Sequence, residues 1–155
     1  MLSRLFPKKI DNAYHGTTIA IWLLAPIVLL KLVMSFAALF DTRDMIERAD
    51  SIPLDAFGAA GAAAVLTTTK LLGLNHLLLN LTGLIVLIRY RAMIPLIYLL
   101  LTIEQLGRKA LVLANPITRT SASYLPFDPN LVFAAALLIG LALSLSAPMT
   151  KERGE

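Results

Sequence analysis

The sequence predicts an all-α protein, a polytopic bundle of four transmembrane helices forming a single domain over residues 1–155. Three observations carry that prediction. Of the residues, 57% are hydrophobic and 15% charged, apolar runs long enough to cross a bilayer recur along the chain, and basic residues gather at their ends. A water-soluble domain holds roughly 45–50% apolar and roughly 25% charged residues. This chain, with mean hydropathy +0.75, would expose apolar surface that it cannot cover in water. Lipid removes the conflict, and helices cross lipid because they satisfy their own backbone groups.

A spanning helix takes about 20 mostly apolar residues. The first run covers 19–38 and contains Pro26 and Lys31. It exceeds the roughly 7–15 apolar residues of a secretory signal, so it reads as a retained anchor although Arg4, Lys8 and Lys9 precede it. A mixed-charge loop follows over 41–50. Asp55 then reads as the N-cap of a helix that starts near Ala56 and runs into the second span at 71–88. A helix over 56–89 would be about 50 Å long, more than the hydrocarbon thickness. It must tilt, project from the membrane or break near Gly73; the alternative is a re-entrant or fifth hydrophobic segment at 57–73. The third span is 93–112 and the fourth 131–146. Gly58, Ala59, Gly61, Ala62 and Ala63 would allow another helix to approach closely, although Ala-rich sequence is first of all a good helix former.

With four spans, Arg4, Lys8, Lys9, Arg89, Arg91, Lys151 and Arg153 fall on one side. Arg43, Arg48 and Arg119 fall on the other, with Lys70, Arg108 and Lys109 near its boundary. That bias places both termini in the cytoplasm of a bacterial-type inner (cytoplasmic) membrane. Aromatic residues mark the same two boundaries, Tyr14, Trp22 and Tyr90 on one side and Phe40, Phe57, Tyr124 and Phe127 on the other. Residues 1–18, interrupted by Pro7, read as a basic flank that sets orientation rather than as an interfacial helix.

Several chemistries are excluded. With no cysteine, disulfides, thiol catalysis and cysteine-ligated zinc or iron–sulfur centres fall away. No His-Glu-x-x-His, phosphate loop, dinucleotide glycine pattern or nucleophile elbow occurs, so no catalytic residue, cofactor or metal is assigned and an enzyme is not expected. His15 and His76 would lie at different depths and cannot flank one haem. The net charge of +4 is not gathered into a run that would bind nucleic acid.

The informative residues are ionisable groups within the spans. Lys31, His76 and Glu104 lie one in each of the first three, at depths that agree within about 5 Å by counting rise per residue. Lys31 and Glu104 can neutralise one another, and His76 can donate, accept and titrate near neutral pH. Asn80 shares the His76 helix face at i+4, and Arg108 stands at i+4 from Glu104, where it competes with Lys31 for the carboxylate. Tyr98, Thr102, Gln105 and Lys109 extend the polar stripe. Such a cluster serves either as a packing device or as a relay or ligand site. The expected function is an accessory, scaffold or assembly component of a membrane complex. Its expected surroundings are membrane lipid and either a second copy or another membrane protein. The alternative is an oligomeric transporter or channel-like protein using the Lys31, His76 and Glu104 cluster.

Overall fold

A computed structural model describes residues 5–116 and 128–146. Arg4, Arg119, Tyr124, Phe127, Lys151 and Arg153 lie outside them. Among the described residues all regular structure is helical, with no strand. The long helices are α1 (Thr18–Phe40), α2 (Gly58–Arg89), α3 (Ile94–Ala114) and α4 (Pro129–Leu145). Two helices are long and apolar enough to cross a membrane, α1 and the stretch Leu54–Arg89 that contains α2. α3 carries Glu104, Arg108 and Lys109 among its 21 residues, and α4 has only 17.

α1 continues through Pro26. Its buried face steps by three and four residues through Ala20, Leu24, Ile27, Lys31, Ser35 and Ala38, the spacing of one helical stripe. The opposite face exposes Leu29, Leu30, Val33 and Phe36.

α2 is unbroken at Gly73 and spans about 48 Å at 1.5 Å per residue. Asp55 is not its N-cap. Asp55 lies in a 3-10 turn, Leu54–Phe57, and its carboxylate accepts from Arg43 Nη2 at 3.0 Å. Phe57 occupies the cap position and makes no side-chain cap bond. The physical reason is Gly58, whose φ of +64° redirects the chain between turn and helix and puts the two in different registers.

The stretch from Gly58 to Ala63 does not bring helices together either. A Cβ on Gly58 would meet nothing, and one on Gly61 would meet only Phe57 of the preceding turn. Close approach occurs further on. A Cβ on Gly73 would stand 2.9 Å from Ala38 Cβ, and one on Gly83 would stand 3.2 Å from Val28 Cγ2. These contacts set α1 and α2 antiparallel, so that α2 from Gly58 to about residue 70 runs on past the end of α1.

Tyr98 is fully buried, its hydroxyl donates to Ala20 O at 2.8 Å, and its ring lies where a Cβ on Gly140 would be. One side chain thus joins α3, α1 and α4. The core draws Leu24 and Val28, Val86, Ile97 and Leu101, and Leu137 from the four helices. α1 packs along α2 and α4, and α3 along α4, whereas the α2 and α3 backbones approach one another sparingly. Ser35 and Thr102 donate within their own helices, to Lys31 O and Tyr98 O, and Thr42, just past the end of α1, donates back to Ala38 O, which satisfies these hydroxyls without a neighbouring long helix.

Asp128 caps α4, accepting from Asn130 N at 2.9 Å, with Pro129 at the first helical position. Lys109 pairs with the same carboxylate and closes α3 against α4. That hydrogen bond from Lys109, with those from Asn130, holds Asp128 below the usual carboxylate range.

Gly140→Ala is expected to cost about 1–3 kcal/mol, because the Tyr98 ring must move. Gly107→Ala, whose Cβ meets open space, should be neutral or gain up to about 1 kcal/mol. Thermal unfolding in detergent would show a lower Tm for the first and not for the second. Because the Asp128 pKa is depressed on folding, its contribution is full above the ordinary value of 3.8 and fades as pH falls through the lower folded value. Lys109→Met should therefore flatten the acid limb of the stability profile in the same assay.

Candidate functional site

The three ionisable residues from separate helices meet inside the molecule. Lys31 is 8% exposed, and its Nζ lies 2.7 Å from Glu104 Oε2. His76 Nε2 lies 3.1 Å from the other carboxylate oxygen, Oε1. That approach lacks hydrogen-bond alignment, and Oε1 is buried without a hydrogen-bond donor. Arg108 Nε stands 3.8 Å from Oε1. Arg108 therefore does not displace Lys31; the two cations attend different oxygens, and only Lys31 makes a close pair. Arg108 turns its Nη2 toward Gln105 Oε1 at 3.4 Å and Asn130 Oδ1 at 3.3 Å.

Local sequence explains the convergence. Lys31 follows Leu24 and Val28 on the inner stripe of α1, so burying that stripe carries its ammonium inward. His76, Asn80 and Gly83 follow Gly73 along α2 at three- and four-residue steps, and the Gly73 and Gly83 contacts turn this face toward α1. Asn80 is 3% exposed. Its Nδ2 donates to His76 O at 2.7 Å and reaches Ser35 Oγ at 3.4 Å, while its Oδ1 is buried without a donor.

Gln105, 2% exposed, is the joint of the network. Its Oε1 accepts from Lys31 Nζ at 3.1 Å, and its Nε2 lies 3.3 Å from both the carbonyl and Oδ1 of Asn130. The polar contacts thus run from α2 to α1, across to α3 and on to α4. Ser35, Gln105 as a bridge, and Asn130 escape a reading of the sequence alone. Ser35 has a signal, its i+4 offset from Lys31. Asn130 has none, because only the packing of α4 beside α3 brings it to Gln105.

Two hollows lie elsewhere, at the end of the molecule formed by residues 7–16 and the Tyr90–Met93 connection. One, of about 310 Å³, is lined by Lys8, Lys9, Tyr14 and His15 among others; the second, of about 410 Å³, by Ile10, Asn12, Arg89 and Tyr90. Neither touches Lys31, His76 or Glu104. His15 and His76 therefore serve different regions. Glu104 and His76 offer two metal donors, with the Lys31 ammonium already on the carboxylate, and no group of three potential ligands occurs among the described residues.

Comparison with protein-family models, with curated proteins and with solved structures returns no match. The fold and the site therefore define a class only: a chain whose described residues are helical, two of the described helices being able to cross a membrane, with a buried Lys–Glu pair joining its helices.

Removing one partner of the pair leaves the other charge buried and unpaired, at a cost of about 3–5 kcal/mol. Lys31→Met and Glu104→Leu should each lose stability on that scale, while the double variant recovers most of it. A double-mutant cycle from denaturant unfolding in detergent measures the coupling. Two losses that simply add would sink the structural account of the pair.

Proposed function

We propose that this protein is a four-helix membrane bundle, all four long helices crossing, that acts as a non-catalytic accessory or scaffold component of a membrane complex. The carrying observation is that its central polar groups bond chiefly to one another while its outward faces are apolar. Lys31 is matched to Glu104 and Gln105, and Gln105 to Asn130. Leu29, Val33, Ile85, Ile103 and Leu138, drawn from the four helices, point outward and are 47–65% exposed. A surface of that kind suits lipid or another membrane protein.

Charge supports the orientation, with both termini on the cytoplasmic side of a bacterial-type inner membrane. Residues 7–16, the α2–α3 connection and the end of α4 share one end of the molecule: Ala92 N donates to Asp11 O, and Thr17 Oγ1 to Leu143 O. Lys8, Lys9, Arg89 and Arg91 collect there. At the other end Arg43 and Arg48 are paired with Glu47, Asp55 and Asp44. Basic residues beside the spans mark the inner face.

A second reading, proton-coupled transport by an oligomer, has one observation in its favour. Glu104 Oε1 lacks a hydrogen-bond donor, and the His76 ring beside it is 28% exposed, a pair through which a proton can pass.

Alkaline carbonate washing followed by mild-detergent purification from native membranes tests both. On the scaffold reading the chain resists the wash and emerges at fixed stoichiometry with a partner, which the Lys31→Met/Glu104→Leu variant retains. On the transport reading it emerges as a homo-oligomer, and liposomes holding it show a pH-driven flux that His76→Ala and Glu104→Gln abolish without unfolding it.

A further inference from the structure

The basic end of the molecule holds the hollow of about 310 Å³, within the roughly 300–1,000 Å³ of small-ligand sites. It lies between the segment over residues 7–16, the α2–α3 connection at Ala92, the start of α3 at Pro95, and Ser144 at the end of α4. Two lysines, Lys8 and Lys9, line it together with His15; Asp11 is the one acidic residue in the lining. Asp11 is already engaged, since its Oδ1 accepts from Ala13 N at 3.0 Å and its carbonyl from Ala92 N at 3.3 Å. The carbonyl of Leu143, at the partially negative end of α4, is likewise taken up by Thr17 N and Oγ1. Among the described residues no carboxylate pairs with Lys8 or Lys9.

Tyr14 adds an independent observation. Tyr14 lines the hollow, and its hydroxyl, sealed beneath the wall, is among the described residues the one buried side-chain donor without a hydrogen-bond partner. Burial pushes its pKa up to about 12, so it keeps its proton and remains a donor at neutral pH. Gly16 makes the placement feasible: a Cβ there would stand 2.5 Å from the Tyr14 hydroxyl and 2.4 Å from Ser144 O. The neighbouring hollow of about 410 Å³ shares Asp11 and contributes Arg89. It is walled by Ile88, 67% exposed, and Tyr90.

We propose that this hollow binds the phosphate of an anionic phospholipid headgroup, held by Lys8 and Lys9 and accepting a hydrogen bond from Tyr14. The proposal rests on the membrane reading above. Lipid is the source the surroundings favour. Phe6 and Ile10 are exposed on the same segment, and Trp22 is 74% exposed on the first turns of α1, apolar and aromatic surface of the kind found at the headgroup level. A soluble phosphate would need none of it.

The test uses the full chain in detergent, stripped of lipid, with bound molecules counted by native mass spectrometry as dioleoylphosphatidylglycerol or dioleoylphosphatidylcholine is added. One phosphatidylglycerol is expected to bind ahead of the zwitterionic lipid. Lys8→Gln/Lys9→Gln should weaken it by about tenfold or more, two basic side chains being removed. Tyr14→Phe, which changes no charge, should weaken it by about fivefold, one hydrogen bond to a charged group being lost. Loss with the lysines but not with Tyr14→Phe would mean a diffuse basic surface and overturn the site. Equal binding of the two lipids, or displacement by millimolar inorganic phosphate, would also overturn it. A chain that carbonate washes off membranes would defeat the membrane reading itself. An integral chain without the lipid preference would defeat only the headgroup site.

Discussion

Much of the arrangement depends on the Lys31–Glu104 pair. α1 and α3 are not neighbours along their backbones; α4 lies beside both and α2 beside α1, and the pair reaches across between α1 and α3. Two opposite charges about 4 Å apart attract by about 4 kcal/mol at an effective dielectric constant near 20, while removing each ion from water costs several kcal/mol. The pair alone therefore contributes little net stability. Gln105 changes the balance, because its Oε1 supplies a dipole to the ammonium that water would otherwise solvate. The larger effect is on specificity. Sliding α1 by one turn against α3 would leave a bare ammonium facing Leu101 or the helix exterior, so one register is kept and its competitors are penalised.

Small residues do the complementary work where no charge is available. Gly73 and Gly83 let α2 rest on Ala38 and Val28, and Gly140 admits the Tyr98 ring. In water such contacts would be reinforced by the hydrophobic effect. In lipid, where tails are as apolar as leucine, packing and interhelical hydrogen bonds carry the association. Tyr98 supplies both at once, with a ring against α4 and a hydroxyl on the α1 backbone.

What was legible in the sequence follows from what a one-dimensional count can hold. Depth is a count of residues, so Lys31, His76 and Glu104 could be placed at one level and are found in contact. Azimuth is set by a partner helix, so Gln105, Ser35 and Asn130 could not be selected from other polar residues at similar heights. The Gly58–Ala63 stretch shows the same limit: small residues permit close packing but do not supply the helix, and among the described residues no second long helix meets a Cβ placed on Gly58 or Gly61. Asp55 failed as a cap for a more local reason. A capping residue and its helix must share a register, and the left-handed backbone at Gly58 separates them. Arg108 was placed correctly beside Glu104, but a helix face does not say which carboxylate oxygen a side chain will reach.

The distribution of satisfied and unsatisfied groups argues for the order in which the functional readings stand. A conducting path needs sites that release what they bind, whereas Lys31 and Gln105 are locked by partners from three helices. The unspent polar atoms at the centre are acceptors, Glu104 Oε1 on α3, 3.1 Å from His76 Nε2, and Asn80 Oδ1 on α2. At the basic end the unspent group is a donor, the Tyr14 hydroxyl, and it stands among lysines. Acceptors beside a titratable ring and a donor beside cations call for different occupants, a proton in the first place and an anion in the second. The two regions are therefore separable by mutation, and a protein that lost one could keep the other.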